Sequence, residues 1–216
     1  MAKETMLVIC AHSDDQIFGL GGTIAKYAKQ SKNVVTIIFS NGQSSHPHYK
    51  PRVASEMRMK ETLEANKVVK GGDVIFFSLV DTKYPDEIRN KKIKPKLIKL
   101  IKDLKPSKIF THHMDDPHTD HKEVHKVVME VVEKTKYNGE VYLFDVWNLW
   151  NIRKRDLPRL YVDISDTFKI KLNALKCFKS QVINAMIPLL WSVYVRAILY
   201  GIVNHCRYAE RFYKIR

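Results

Sequence analysis

Two short stretches of this chain concentrate residue types that bind cations and move protons. The first is Ala11-His12-Ser13-Asp14-Asp15-Gln16, just ahead of Gly19-Leu20-Gly21-Gly22. A histidine and two adjacent carboxylates either repel one another in water or share a cation, and a His-x-x-Asp spacing in a tight turn lets His12 and Asp15 converge on one ion. Asp14 then points elsewhere, free to accept a proton from metal-bound water. The competing reading is that His12 and Asp14 merely cap the following helix, with acid near its positive end. A dinucleotide fingerprint fits poorly, because Gly19-x-Gly21-Gly22 departs from Gly-x-Gly-x-x-Gly and the acidic turn opposes a pyrophosphate.

The second stretch runs from Thr111 through His112-His113-Met114-Asp115-Asp116-Pro117-His118-Thr119-Asp120-His121, with His125 one turn on. Five of the nine histidines fall between His112 and His125. Core packing explains so dense a run poorly, since each buried imidazole needs its own hydrogen-bond partners. His118-x-Asp120-His121 offers a metal ligand, a second imidazole near the metal, and a carboxylate able to orient an imidazole and favour its protonated form. His112 and His113 alternate in and out at a strand end, so one lines the pocket. His125, at i+4 from His121, is divided between a second ligand and a solvated helix residue.

The elements that position these stretches read as strand and helix in alternation. Strands are expected at Met6–Ala11, Val34–Phe39, Val74–Phe77, Lys108–Thr111, Val141–Phe144 and Leu160–Val162. Helices are expected at Gly21–Gln30, Arg52–Val69, Asp86–Leu104 with a break near Pro95, His121–Lys134, and Asp166–Ser180 with Ser165 as N-cap. That rhythm predicts one α/β domain over residues 1–216, a Rossmann-like parallel sheet with helices on both faces. Both chemical stretches then follow strands, where such sheets place their sites. Asn41–Pro51 carries turn chemistry and is expected to border the site entrance.

Composition bounds the rest. The 216 residues are 45% hydrophobic and 28% charged, ordinary for a folded domain. The 37 basic and 23 acidic residues give a net charge of +14, but the basic groups are spread out and the Lys-rich run from Arg89 to Lys108 lacks interleaved aromatics. No nucleic-acid partner is therefore expected. Cys10, Cys177 and Cys206 form neither a disulfide framework nor a zinc-ligand pattern, which with the absence of a leader-like start points to the cytoplasm. Residues 182–203 are strongly apolar. Arg196, Asn184, Pro188 and Gly201 within them argue against a lipid-exposed span. This segment is expected to pack on the core or at a contact in a homo-oligomer, ahead of a membrane-surface contact.

The quoted motifs resemble those of the LmbE-like, or PIG-L, N-acetylglucosaminyl deacetylases. Ala11-His12-Ser13-Asp14-Asp15-Gln16 is similar to that family's Ala-His-Pro-Asp-Asp-acid motif, and His118-Thr119-Asp120-His121 to its His-x-Asp-His. Arg52 with Glu56, Val162-Asp163-Ile164-Ser165 leading to Lys171, and Tyr208-Ala209-Glu210-Arg211-Phe212 extend the likeness over nearly the whole chain. The resemblance implies one zinc ion per chain held by His12, Asp15 and His121, with Asp14 as general base. It implies that His118 stabilises the oxyanion or protonates the leaving amine, that Asp120 orients His118, and that Arg52 contacts the substrate. The implied substrate is a small N-acetylated sugar. Ser13 and Gln16 depart from the family pattern, removing a φ restraint and a charge.

Two other readings remain open at the level of sequence: a two-metal phosphoesterase using Asp14, Asp15, Asp116 and Asp120 with the histidines, and a non-catalytic basic binding module.

Overall fold

The computed structural model describes residues 3–45, 48–81, 83–147, 157–181 and 187–216. β-Branched and aliphatic runs form β1 (Thr5–Cys10), β2 (Asn33–Ser40), β3 (Val74–Leu79), β4 (Lys108–His112), β5 (Glu140–Phe144) and β6 (Arg159–Asp163), and a last strand, β7, spans Ala209–Lys214. Among the described residues the helices are α1 (Asp15–Lys29), α2 (Pro51–Val69), α3 (Tyr84–Asn90), α4 (Ile93–Leu104), α5 (Thr119–Lys134), α6 (Phe168–Leu175) and α7 (Ile187–Val203).

The strands form one sheet in the order β3-β2-β1-β4-β5-β7-β6. β1 to β5 pair in parallel, with Leu7 opposite Val35 on one side and Ile109 on the other. Alternate residues along each strand feed two cores. Met6, Val8, Phe110, Tyr142 and Phe212 face α1, α2, α6 and α7, while Leu7, Ile9, Ile37, Ile109 and Val141 face α3, α4 and α5. Helices therefore cover both faces, as a buried parallel sheet requires.

The expectation of a wholly parallel sheet needs one correction. β7 runs antiparallel to both β5 and β6. Its sequence, Ala-Glu-Arg-Phe-Tyr-Lys, mixes charge with aromatics and shows no apolar run. It is nonetheless buried at Ala209, Glu210, Phe212 and Tyr213. β6 joins the sheet through β7.

Three local expectations also shift. α1 begins at Asp15 rather than Gly21, but Leu20 breaks it with φ −146° and ψ 25°, so the glycine-rich stretch is a kink inside the helix. The charged helix divides at Lys91–Lys92, where Lys92 is left-handed (φ 53°), and not at Pro95. Pro95 sits in the first turn of α4, where the missing N–H costs no helical bond. α6 is shorter than expected and its N-cap is Thr167; the Ser165 hydroxyl instead bonds Asp163 Oδ1 at 2.6 Å.

α7 lies in the apolar segment; residues 182–186 of that segment fall outside the described residues. No helix among the described residues is long and apolar enough to cross a membrane.

Candidate functional site

The sheet order reverses between β1 and β4, because β2 and β3 extend one way from β1 and β4 and β5 the other. A crevice opens at the carboxyl ends of strands at such a switch point. β1 delivers His12, Asp14 and Asp15 there, and β4 delivers the stretch from His113 to His121.

The first turn is pinned by its own backbone. The His12 N–H donates to Asp15 Oδ2 at 2.7 Å, and the Ser13 carbonyl accepts from Thr62 Oγ1 (2.9 Å) and Gln16 Nε2 (3.1 Å). Gln16 thus anchors the turn, and Thr62 and Gln16 fix what a proline at position 13 would otherwise restrain. Asp14 occupies the N-cap of α1 without a side-chain cap bond, so the capping explanation of this acid does not hold. Its carboxylate instead faces the buried Arg58 guanidinium, Oδ2 at 3.5 Å from one terminal nitrogen and Oδ1 at 3.4 Å from the other.

The second stretch turns into α5 through His118. Its extended backbone (φ −72°, ψ 126°) makes it the N-cap, and its Nδ1 accepts the Asp120 N–H at 3.2 Å. Starting the helix at Thr119 brings His121 inward, fully buried, one turn from the strand end.

The two stretches meet. His12 Nδ1 lies 3.2 Å from His121 Nε2, Asp15 Oδ2 lies 3.5 Å from His12 Nδ1, and Asp15 Oδ1 lies 3.3 Å from His121 Nε2. Three ligands held at 2.0–2.1 Å by a tetrahedral zinc ion stand roughly 3.3 Å apart. The donor types suit such an ion and each pairwise spacing is of that order, Asp15 facing His12 with Oδ2 and His121 with Oδ1.

Other groups of potential donors lie close by: His12, His118 and His121; Asp15, His112 and His121; and His12, Asp81 and Asp120. His112 is disqualified by its own bond. Its Nε2 accepts the Ala11 N–H at 3.0 Å, which occupies the lone pair that would ligate a metal. Burial, with the neighbouring His121, lowers His112 to about 4, so it stays neutral and stacks on His121 with ring centroids 3.9 Å apart.

The carboxylates impose a different balance on the other imidazoles. Burial acts to lower His12, but Asp120 and Asp15 outweigh it and raise it to about 10; His121 is raised against burial to about 9 by Asp15 and Asp116. Asp15 is held well below the usual carboxylate range against the effect of its own burial, by His121 and His112. The pocket thus concentrates negative charge that protons or a metal cation can neutralise.

Two expectations about partners change here. Asp120 Oδ2 sits 3.2 Å from His12 Nε2, so this carboxylate braces His12, while His118 meets the Asp120 backbone. Burial and the charges of His12 and His121 lower His118 below its ordinary value, against the raising effect of Asp15 and Asp120.

Arg52 also stands apart. Its side chain is 89% exposed on the outer face of α2, paired with Glu56 at 2.8 Å. Arg58, six residues on and rotated to the inner face, lines the cavity. Gly42 fits this guanidinium: it has φ +71°, and a Cβ there would lie 2.8 Å from Arg58 Nε.

Asp116, which the sequence reading placed only in the two-metal scheme, backs His121 in this site. Fully buried, its Oδ1 lies 3.0 Å from His121 Nδ1 and accepts the His118 N–H, while Oδ2 accepts from the Val146 and Trp147 N–H groups. Against burial, His121 and His112 bring it down to about 2. A carboxylate on the far nitrogen fixes an imidazole's orientation toward a metal. His125 turns out to be architectural, its Nδ1 lying 2.9 Å from the His112 carbonyl.

These groups border a cavity of about 180 Å³. Phe18, Val146, Trp147 and Leu189 give it an apolar wall, and Asp14, His118, Arg58 and Asp81 give it polar positions. Asp81 is itself held by the Ser40 hydroxyl and by the Ser44 N–H at 3.0 Å. From the Asn41–Pro51 loop, Gly42 and Ser45 reach this wall.

Together the switch-point crevice, the converging His and Asp donors and the adjoining cavity define an α/β protein with a pocket whose His and Asp groups are able to hold a metal ion. The chain belongs to the family described as PIG-L, GlcNAc-PI de-N-acetylase, whose match spans residues 7–132. It is 26% identical to the diacetylchitobiose deacetylase of Thermococcus kodakarensis, over 96% of this chain and 81% of that protein. It is also 26% identical to the 4-oxalmesaconate hydratase of Pseudomonas putida, over 91% and 79%. Among solved structures it superimposes on N,N'-diacetylchitobiose deacetylase from Pyrococcus horikoshii with a TM-score of 0.83 at 22% identity, covering 98% of this chain and 84% of that one.

Proposed function

We propose that this chain is a zinc-dependent N-deacetylase that hydrolyses the acetamide of an N-acetylated amino sugar to acetate and the free amine. The observation that carries the reading is the convergence of His12, Asp15 and His121, with Asp15 meeting His12 through Oδ2 and His121 through Oδ1, in a chain of the PIG-L family. One zinc ion per chain is assigned to those three residues. When bound, zinc supplies a Lewis acid that polarises the amide carbonyl and lowers the pKa of water toward ~7.

The protein's own groups then divide the proton traffic. Asp14 borders the cavity and is not needed as a ligand, so its carboxylate takes a proton from the attacking water. Arg58 holds that carboxylate at both oxygens, fixing its direction. Because His118 Nδ1 accepts the Asp120 N–H, the ring proton of the neutral imidazole resides on Nε2. That N–H donates to the oxygen that gains charge as the carbonyl carbon becomes tetrahedral, without requiring an imidazolium. The proton held by Asp14 passes to the amine as the carbon–nitrogen bond breaks. Asp120 and Asp116 hold His12 and His121 in register. The apolar wall receives the acetyl methyl, and Arg58 takes the substrate-contacting place that the sequence likeness assigned to Arg52.

The hydratase relative supports a second reading, addition of water across a conjugated double bond, using the same base. Zinc-loaded full-length protein incubated with diacetylchitobiose and related N-acetyl sugars distinguishes them. Equal release of acetate and amine, lost on chelation and restored by zinc, is expected. No acetate from any N-acetyl sugar, with hydration of 4-oxalmesaconate instead, would overturn the proposal in favour of the second reading.

A further inference from the structure

Among the described residues, one face of α7 is left uncovered. The helix packs Leu189, Val193 and Ala197 into the core. Its opposite side leaves Ile187 67%, Ile198 45%, Leu199 52%, Ile202 66% and Val203 57% exposed, along with Trp191, Tyr194 and Val195. A helix apolar on all sides is one meant to be buried on all sides. Eight large apolar side chains about half exposed present on the order of 800 Å² in one continuous stripe, above the largest patch usual on a monomer and equal to one partner's share of a standard interface.

We propose that α7 is the contact between two copies of this chain, packed antiparallel about a twofold axis. The inference does not depend on the catalytic reading. Three features favour a second copy over a lipid surface. The patch supplies the area a stable dimer needs, twice roughly 800 Å². α7 holds a single charged side chain, Arg196, and its guanidinium turns back onto the Asp145 carbonyl at 3.2 Å. The stripe is therefore neutral and meets its own twin without like-charge repulsion, whereas a helix lying on a bilayer draws on basic residues alongside its apolar face.

The third feature is shape. At the start of α7 a mostly apolar groove of about 590 Å³ is lined by Leu175, Phe178, Ile187, Leu190, Trp191 and Tyr194, with Lys176 also on its wall. Ile202 and Val203 project from the other end, fifteen residues or roughly 22 Å away. Antiparallel packing puts the protruding end of each copy at the groove of the other, the reciprocal pairing that a twofold contact demands. The axis then passes near position 195, midway between Ile187 and Ile202.

Sedimentation of the full chain at micromolar concentration, with and without anionic phospholipid vesicles, tests the interface. The expected species has twice the chain mass, does not pellet with vesicles, and is weakened at least tenfold by Ile202→Glu. Cysteine cross-linking in a Cys177→Ser, Cys206→Ser background tests the geometry. Val195→Cys should link two copies by itself, Ile202→Cys alone should not, and Ile187→Cys with Ile202→Cys should. A chain that stays monomeric, or that pellets with vesicles as a monomer, overturns the proposal. So does a dimer indifferent to Ile202→Glu or one in which Val195→Cys fails to cross-link.

Discussion

Two buried charge clusters in this fold differ in how completely the protein satisfies them. Behind α1, Glu210 accepts the Gly22 N–H (3.1 Å), the Thr23 N–H (2.7 Å) and the Thr23 hydroxyl (2.6 Å), and it pairs with Lys171 Nζ at 2.6 Å. Lys171 spends another proton on the Phe18 carbonyl at 2.8 Å. At the switch point, by contrast, His12, Asp15 and His121 aim lone-pair-bearing atoms at one another at ligand spacing. The first arrangement is closed and holds the kinked helix in place. On the proposed reading the second is completed by a cation from outside. A buried carboxylate is thus a clue to chemistry only once its partners have been counted.

That contrast can be broken from either side. The largest effect is expected at His121→Ala, which should abolish both stoichiometric zinc in metal analysis and acetate release while the chain still folds. Asp14→Asn should retain zinc and lose roughly 10²–10⁴ in kcat, the usual worth of a positioned general base; loss of the metal there would mean that Asp14 is a ligand. Glu210→Gln should do the converse, costing about 3–5 kcal/mol in denaturant unfolding because Lys171 is left buried and unpaired. Zinc stoichiometry of that folded variant should stay at one.

Smaller changes sharpen the comparison. Asp116→Asn should weaken zinc about 10–100-fold in a competition titration, as expected for the partner that orients a ligating imidazole. Arg58→Lys should cost about 1.5 kcal/mol in kcat/KM, roughly tenfold, through loss of the two-pronged hold on Asp14. Arg52→Ala should leave kcat/KM within about twofold, being an exposed surface pair. Equal losses at positions 52 and 58 would contradict the placement of Arg58 in the cavity.

Much of this arrangement was readable from the chain alone, for identifiable reasons. β1, β2, β4 and β5 are short, largely apolar runs of β-branched, aliphatic and aromatic residues buried on both faces, and such runs announce themselves. His12 and Asp15 were marked by their spacing in a turn after a strand, whereas His121 was singled out from its stretch as the third ligand only through the family resemblance. Arg58 was missed because two arginines lie on one helix and nothing local says which faces inward; the buried Glu61, Thr62 and Ala65 along the same side of α2 are the available signal. Asp116 was placed in a rival scheme because its role depends on the return of Val146 and Trp147 from β5, a contact about thirty residues away in sequence. β7 was invisible for the same kind of reason, since Glu210 and Arg211 look like surface residues until Lys171 and Asp145 come beside them.

The late position of β7 in the chain governs the order in which the molecule can be completed. A strand drawn from residues 209–214 must slide between β5 and β6 before β6 has any neighbour in the sheet, and it carries the glutamate that clamps the kinked helix. Pairings of such long sequence separation form slowly. Closure of the sheet edge and locking of the helix that begins at Asp15 therefore depend on the same strand.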